Sequence, residues 1–117
     1  MKQDLHYDMK VRIMGEEKAF GPGVAQLLKG IEEMGSMQKA AEKMGLSYSK
    51  AWKMMKTAEQ ELGFALTERS SGGKDGGGSV VTADGREMMQ RYGNFLSALQ
   101  TEADRLFAFY FQREGEK

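Results

Sequence analysis

Hydroxyl and ammonium side chains are concentrated on one predicted helix near the middle of the chain. No acidic residue occurs between residues 47 and 58, and at 100° per residue one side of this helix carries Ser49, Lys50, Lys53 and Lys56. Lysines three residues apart repel one another, and Lys50 lies in the first turn, where the helix dipole disfavours positive charge. Ammonium and hydroxyl groups are also the donors that bind phosphates and base edges. The pattern favours a polyanion-binding surface; a solvated lysine face is the alternative.

The helix that carries these lysines is predicted to follow a shorter helix across a tight turn, within residues 35–62. Ala41 is small enough for the two helices to cross closely, and Gly45 permits the turn conformation that a side chain would obstruct. Ser36 and Ser47 are the predicted N-caps. This spacing is typical of a helix-turn-helix, and an ordinary helical hairpin in a core is the alternative. The predicted buried side of the second helix comprises Ala51, Met54, Met55, Ala58 and Leu62, flanked by Tyr48 and Trp52.

The segment before this unit is predicted to contain a strand and a helix. Polar and apolar residues alternate over residues 7–14, which predicts a half-buried strand. Residues 15–23 are predicted to form a turn and loop, with Pro22 in the first turn of a helix that runs to about residue 34. The buried stripe of that helix is predicted to comprise Val24, Leu27, Leu28, Ile31 and Met34.

A glycine-rich segment follows the second helix. Residues 64–69 and 79–82 are predicted to form short strands, and residues 70–78 between them contain five glycines. A disordered loop is one interpretation; the other is a β-wing whose backbone lies along a phosphate chain because no side chain keeps it away. Arg69 and Lys74 at the edges favour the wing.

The last predicted helix carries a heptad pattern. Thr82 is its predicted N-cap, and a helix over about residues 83–112 reaches beyond the core of one small domain. A second copy of the chain would cover its apolar side, so we expect a homodimer. The heptad positions are Met89, Tyr92, Leu96, Leu99, Ala103, Leu106 and Tyr110.

Composition and motif content argue against a bulk polycation, an enzyme, a metal- or cofactor-binding protein and a membrane-spanning protein. The 17 basic and 17 acidic residues balance, so nucleic-acid affinity must come from local patches. There is no cysteine, and the single histidine, His6, lies near the N-terminus. We identify no nucleophile and base pair, no metal-ligand cluster and no cofactor motif, and therefore expect neither an enzyme nor a bound cofactor or metal. No apolar run is long enough to span a membrane, so a cytoplasmic protein is expected.

The order of these elements resembles the winged helix-turn-helix domains of LysR-type regulators. The sequence GSMQKAAEKMGLSYSKAWKMM, followed by ERSSGGKDGGGSVVTADGREMMQRY, is similar to the N-terminal DNA-binding domain of ModE-type molybdate-responsive regulators. The resemblance covers about residues 11–110. ModE proteins carry oxyanion-binding domains after this unit, whereas here the sequence stops at Lys117. Molybdate sensing is therefore not carried over, and a stand-alone member with an unknown effector is expected.

The resemblance implies a homodimer joined through its first and last helices, with the second helix of each helix-turn-helix in a major groove. The residues implied to lie in the groove are Ser47, Tyr48, Ser49, Lys50 and Lys53. Those implied to contact the DNA backbone and the minor-groove edge are Ser36, Lys56, Arg69, Ser70, Gly72, Gly73, Lys74 and Thr82. The implied dimer interface comprises Leu27, Ile31, Met89, Tyr92, Leu96, Leu99, Ala103, Leu106 and Tyr110.

The sequence thus predicts a mostly α-helical winged helix-turn-helix domain with a small β-wing and a long C-terminal dimerisation helix. The helix-turn-helix is expected at about residues 36–62, the wing at about 64–82 and the last helix at about 83–112, in one domain spanning residues 1–117. The predicted function is that of a sequence-specific regulator that binds duplex DNA. A protein-interaction module that modulates another regulator is the second hypothesis, and a small-oxyanion binder that uses the glycine loop or the helix N-termini is the third.

Overall fold

The computed structural model describes residues 4–70 and 78–112. Within these ranges it contains four helices and two short antiparallel hairpins. The helices are α1 (Pro22–Met34), α2 (Met37–Lys43), α3 (Tyr48–Leu62) and α4 (Ala83–Phe111). The strands are β1 (Ile13–Met14), β2 (Lys18–Phe20), β3 (Thr67–Arg69) and β4 (Ser79–Val81). The predicted class, mostly α with a small β-wing, is confirmed.

The core lies where α1, α2 and α3 meet the two hairpins. Apolar residues at helical spacing on all three helices are fully buried there, because each helix turns its apolar stripe inward. Phe20 of β2 packs edge-to-face against Tyr92 of α4, with ring centroids 5.1 Å apart. This contact joins the first hairpin to the last helix. The largest fully buried side chains are Phe20, Leu27, Leu28, Ile31, Met55, Leu66 and Val24.

The helix-turn-helix has the local geometry that its sequence predicts. Ala41 is buried between α2 and α3, and Gly45 has a φ of 74°, in the left-handed region that disfavours any residue with a side chain. The backbone N–H groups of Lys39 and Lys50 donate to the hydroxyls of Ser36 and Ser47, each at 3.1 Å. Both predicted N-caps are therefore confirmed.

The N-terminal segment differs from its prediction. The predicted strand over residues 7–14 is wrong for residues 7–12, because β1 begins only at Ile13. Conversely, the predicted loop over residues 15–23 contains β2, whose Phe20 pairs with Ile13. Of the apolar residues in the predicted strand, Tyr7 packs on α4 and Met9 is exposed, so alternation alone did not indicate a neighbouring strand.

Residues before β1 lie along α4. The hydroxyl of Tyr92 donates to the Val11 carbonyl at 2.7 Å, and burial raises the pKa of Tyr92. Tyr7 packs against Phe107, with ring centroids 5.4 Å apart, and its hydroxyl donates to the Asp104 carboxylate, a hydrogen bond that raises the pKa of Tyr7. The segment therefore covers one side of α4.

Helix α4 gives the molecule its elongated shape. Its 29 residues correspond to about 43 Å, and the molecule measures 63 × 27 × 21 Å. Among the helices within the described ranges, none is long and apolar enough to cross a bilayer.

Candidate nucleic-acid interface

Helix α3 presents a polar, basic face to solvent. Ala51, Met55 and Ala58 are buried on the opposite side and fix the rotation of the helix. The cap that the Ser47 hydroxyl provides accepts one hydrogen bond and leaves its own proton available for a phosphate oxygen. The predicted contact residues on the outer side are all exposed, namely Ser47, Tyr48, Ser49, Lys50, Lys53 and Lys56.

Two of the lysines on this face differ from the third in their electrostatic surroundings. Lys56 Nζ lies 3.2 Å from Glu59 Oε1, so part of its charge is compensated within the protein. In the ranges 4–70 and 78–112, no carboxylate lies within 4.0 Å of the ammonium of Lys50 or Lys53. Within the part of the chain that the structure describes, the positive charge of α3 that lacks a nearby carboxylate therefore lies in its first two turns.

Glu59 fastens the wing to α3, a role that sequence analysis missed. Its second carboxylate oxygen accepts hydrogen bonds from the backbone N–H groups of Leu66, at 2.7 Å, and Thr67, at 3.3 Å. Its side chain is largely buried. A charged acceptor that holds two backbone donors fixes the start of β3 relative to the basic face. In the sequence Glu59 is recognisable as the first acidic residue after the acid-free residues 47–58. Its partners, the backbone N–H groups of Leu66 and Thr67, lie beyond the turn that follows α3.

The base of the wing lies beside the turn between α1 and α2. The backbone N–H of Ser79 donates to the Gly35 carbonyl at 3.0 Å, and that of Ser70 donates to the Gly78 carbonyl at 3.0 Å. Ser36, which caps α2, directly follows Gly35. The structure therefore brings Ser36, Ser70 and the strand residue Arg69 towards one edge of the molecule. The predicted contact residues Gly72, Gly73 and Lys74 lie outside the described residues.

Thr82 does not suit the role that the resemblance implied. Its hydroxyl donates to the Ala65 carbonyl at 2.7 Å and accepts from the backbone N–H of Gly85 at 2.9 Å. A hydroxyl has one proton, and a phosphate oxygen can only accept. Thr82 therefore serves the junction between β3 and α4, and we remove it from the candidate contacts.

Trp52 lies at the flank of the core, as its helical position predicts, and 47% of its surface is exposed. Lys56 Nζ lies 5.6 Å from the centroid of its ring. Helical spacing alone places Trp52 at the boundary between the buried and exposed sides, where packing decides its exposure.

The residues implied to form the dimer interface divide into two groups. Leu27, Ile31 and Tyr92 are buried in the core of the single chain, so they offer no surface to a second chain and we remove them. Met89 and Leu96 also pack against that core. Leu106 and Tyr110 are exposed, whereas Leu99 and Ala103 are half-buried.

The described residues contain no group of three or more His, Cys, Asp and Glu side chains that could hold a metal ion.

Comparison with known proteins places this chain among bacterial regulators. The model of a bacterial regulatory helix-turn-helix protein of the lysR family matches residues 25–86. The DNA-binding transcriptional dual regulator ModE of Escherichia coli K12 is 37% identical over 89 residues, which cover 75% of this chain and 34% of that protein. The molybdenum transport protein ModE of Azotobacter vinelandii is 36% identical over 81 residues, which cover 69% of this chain and 30% of that protein. The chain spans about a third of the length of these relatives.

Solved structures give the same family. The DNA-binding domain of CbnR in complex with DNA has a TM-score of 0.56 and 26% identity, and the match covers 73% of this chain and 92% of that chain. Full-length CbnR complexed with its target DNA has the same TM-score and identity, with 28% of that chain covered. CbnR is a LysR family transcriptional regulator.

Proposed function

The chain belongs to the lysR family of bacterial regulatory helix-turn-helix proteins, and we propose that this DNA-binding transcription regulator acts as a homodimer on a specific duplex sequence. In this proposal residues 36–62 are the helix-turn-helix and residues 64–82 the wing of one domain that works in the cytoplasm and catalyses no reaction. The relatives are transcriptional regulators, a class without enzymatic activity.

The exposed face of α3 is the observation that carries this proposal. Its first two turns combine the exposed ammonium groups of Lys50 and Lys53, which no carboxylate of residues 4–70 or 78–112 approaches within 4.0 Å, with the hydroxyl of Ser49. The first turns of a recognition helix are the part that reaches base edges in a major groove. In the proposal the groove residues are Ser47, Tyr48, Ser49, Lys50 and Lys53. The backbone contacts are Ser36, Lys56, Arg69, Ser70, Gly72, Gly73 and Lys74.

Dimerisation through α4 is supported by the apolar residues that it exposes. At 100° per residue, Phe95, Leu99, Leu106 and Tyr110 fall within about 60° of one another. Tyr7 contacts Phe107 and Asp104 on the neighbouring side of α4, so it leaves these four side chains open. Phe109, which is 69% exposed, borders the strip. A second copy of α4 would remove these side chains from water, which is the main driving force for such an association.

This interface lies further towards the C-terminus than the heptad pattern implied. Met89 and Leu96 are partly buried against the subunit's own core, so the proposed contact begins near Phe95. We call Phe95, Leu99, Leu106, Phe109 and Tyr110 the α4 strip.

Selection of bound duplexes from a random pool at about 0.15 M salt tests the proposed function, because that salt concentration suppresses purely electrostatic binding. We expect a palindromic consensus whose half-sites are one helical turn apart, or a multiple of that distance, as two-fold related recognition helices require. A folded, dimeric protein that enriches no sequence would contradict the proposal and favour the protein-interaction hypothesis.

Lys53→Ala tests whether Lys53 contacts a phosphate. Loss of one phosphate contact in each subunit should weaken binding by a similar factor on every sequence. The slope of log Kd against log salt concentration should fall by about one for each subunit bound. Fluorescence anisotropy titrations at several salt concentrations, on the selected duplex and on a scrambled one, measure both quantities.

Lys29→Ala is the matched control, since Lys29 is an exposed lysine on α1 and its loss changes the net charge equally. We expect a much smaller change in slope for this variant. Equal slopes for the Lys53→Ala variant and the unmodified protein would show that Lys53 does not contact phosphate.

A further inference from the structure

Two aromatic side chains stand on the exposed part of α3 one helical turn apart. Tyr48 is 52% exposed and Trp52 is 47% exposed, although both flank the buried side of the same helix. Residues four apart on a helix are neighbours, so the two exposed side chains form one apolar ridge, which Ser49 borders. This ridge borders the most basic part of the helix. Its occupant must therefore combine apolar atoms with negative charge.

A chain of contacts links the indole of Trp52 to the start of the wing. Lys56 Nζ lies 5.6 Å from the ring centroid and 3.2 Å from Glu59 Oε1. Glu59 in turn accepts the hydrogen bond from the backbone N–H of Leu66 at the start of the wing. A cation over an aromatic face is attracted by the ring quadrupole, and this one is anchored by an ion pair. Lys56 thus contacts the indole, and about half of the Trp52 surface stays open to a ligand.

We propose that Trp52, with Tyr48 beside it, is a specificity-determining residue that contacts the 5-methyl group of a thymine in the major groove. This inference rests on the proposed function, and it names a contact that hydrogen-bonding residues cannot make. Among the groups that base pairs present in the major groove, the thymine methyl is the apolar one. The lysines and serines of α3 can form hydrogen bonds with the oxygens and nitrogens of the bases. An exposed aromatic ring among them can instead contact the thymine methyl group.

The experiment removes the methyl group and leaves every hydrogen-bonding atom of the base pair in place. The thymines of the selected duplex are replaced by deoxyuridine one position at a time, with the same replacement in both half-sites. The Kd of the unmodified protein is measured for each of these duplexes. Loss of one buried methyl group corresponds to about a fourfold weaker interaction, or about 15-fold for two half-sites. We expect a loss of this size at one symmetric position.

The Trp52→Ala variant should bind the thymine and deoxyuridine duplexes equally at that position. Trp52 is half-exposed, so this variant is expected to fold, which circular dichroism checks. Met14→Ala is the matched control, because Met14 is an apolar residue that is 58% exposed but lies on β1, outside both α3 and the wing. The control should keep the full preference for thymine.

Three outcomes would overturn the inference. Equal binding of both duplexes by the unmodified protein would show that no methyl group is read, while specific binding itself would leave the proposed function intact. A Trp52→Ala variant that keeps the preference for thymine would assign the reading to another residue. Failure to select any duplex would overturn the proposed function and this inference together.

Discussion

Replacement of Gly85 by alanine is expected to destabilise the protein, although alanine is the better helix former. A Cβ atom at Gly85 would lie 2.5 Å from the carbonyl oxygen of Leu66 and 3.0 Å from Val81 Cγ1. The Leu66 carbonyl also accepts the backbone N–H of Thr82 at 3.0 Å, so it cannot retreat without breaking the junction between β3 and α4. Overpacking of this kind costs typically 1–3 kcal/mol, and occasionally more. We expect the free energy of unfolding to fall by about 2 kcal/mol.

Gly93→Ala provides the matched control within the same helix. A Cβ atom at Gly93 meets no atom within 4 Å, so this variant should gain the helix preference of alanine, up to about 1 kcal/mol. The two substitutions are chemically identical, yet we expect shifts in Tm of opposite sign.

Thermal unfolding followed by circular dichroism, at equal protein concentrations, measures the shift for each variant. A shift of about 4–8 °C per kcal/mol is expected for a domain of about this size. A Gly85→Ala variant as stable as the Gly93→Ala variant would show that the helix approaches β3 less closely.

Replacement of Leu106 by glutamate is expected to separate the proposed dimer and to abolish tight binding of the palindrome. Leu106 lies near the middle of the α4 strip and is 45% exposed in the single chain, so the subunit should still fold. In a dimer the new carboxylate would be buried without a partner. Because a monomer can occupy one half-site at a time, the affinity for the full site should fall by roughly 10²- to 10⁴-fold.

Sedimentation velocity measures the oligomeric state, and titration with the selected duplex measures the affinity. Ala108→Glu is the matched control, since Ala108 is exposed two residues away, on about the opposite side of α4. That variant should remain dimeric and bind the palindrome normally. A Leu106→Glu protein that stays dimeric would rule out the α4 strip as the interface and place the contact elsewhere.

The candidate interface was predictable from the sequence where each residue's role depends on its near neighbours. The outward placement of Ser49, Lys50 and Lys53 follows from helical periodicity and from the buried side that Ala51 and Met55 define. The cap at Ser47 likewise involves atoms only three residues apart. These features are local, and the structure has them as the sequence predicts.

Contacts between distant segments were not predictable in the same way. Glu59 and Lys56 were recognisable as charged residues, but the backbone donors that Glu59 holds belong to the start of β3. The hydroxyl of Thr82 suited a phosphate contact until its bond to the Ala65 carbonyl was known. In each case several groups along the chain could form a hydrogen bond with the polar side chain. The tertiary structure determines which of them lies within reach.

The sequence by itself determined the helices of this protein, the turn at Gly45 and the basic outer face of α3, because helical periodicity, capping and glycine conformation act over a few residues. The tertiary structure alone decided three other features. Tyr7 and Val11 contact α4 instead of belonging to a strand, about half of the Trp52 surface stays exposed, and Tyr92 and Leu27 belong to the core of the subunit. The three features have the same physical reason. Burial of an apolar side chain is favourable whatever apolar surface covers it, and which surface does so depends on elements far away in the chain.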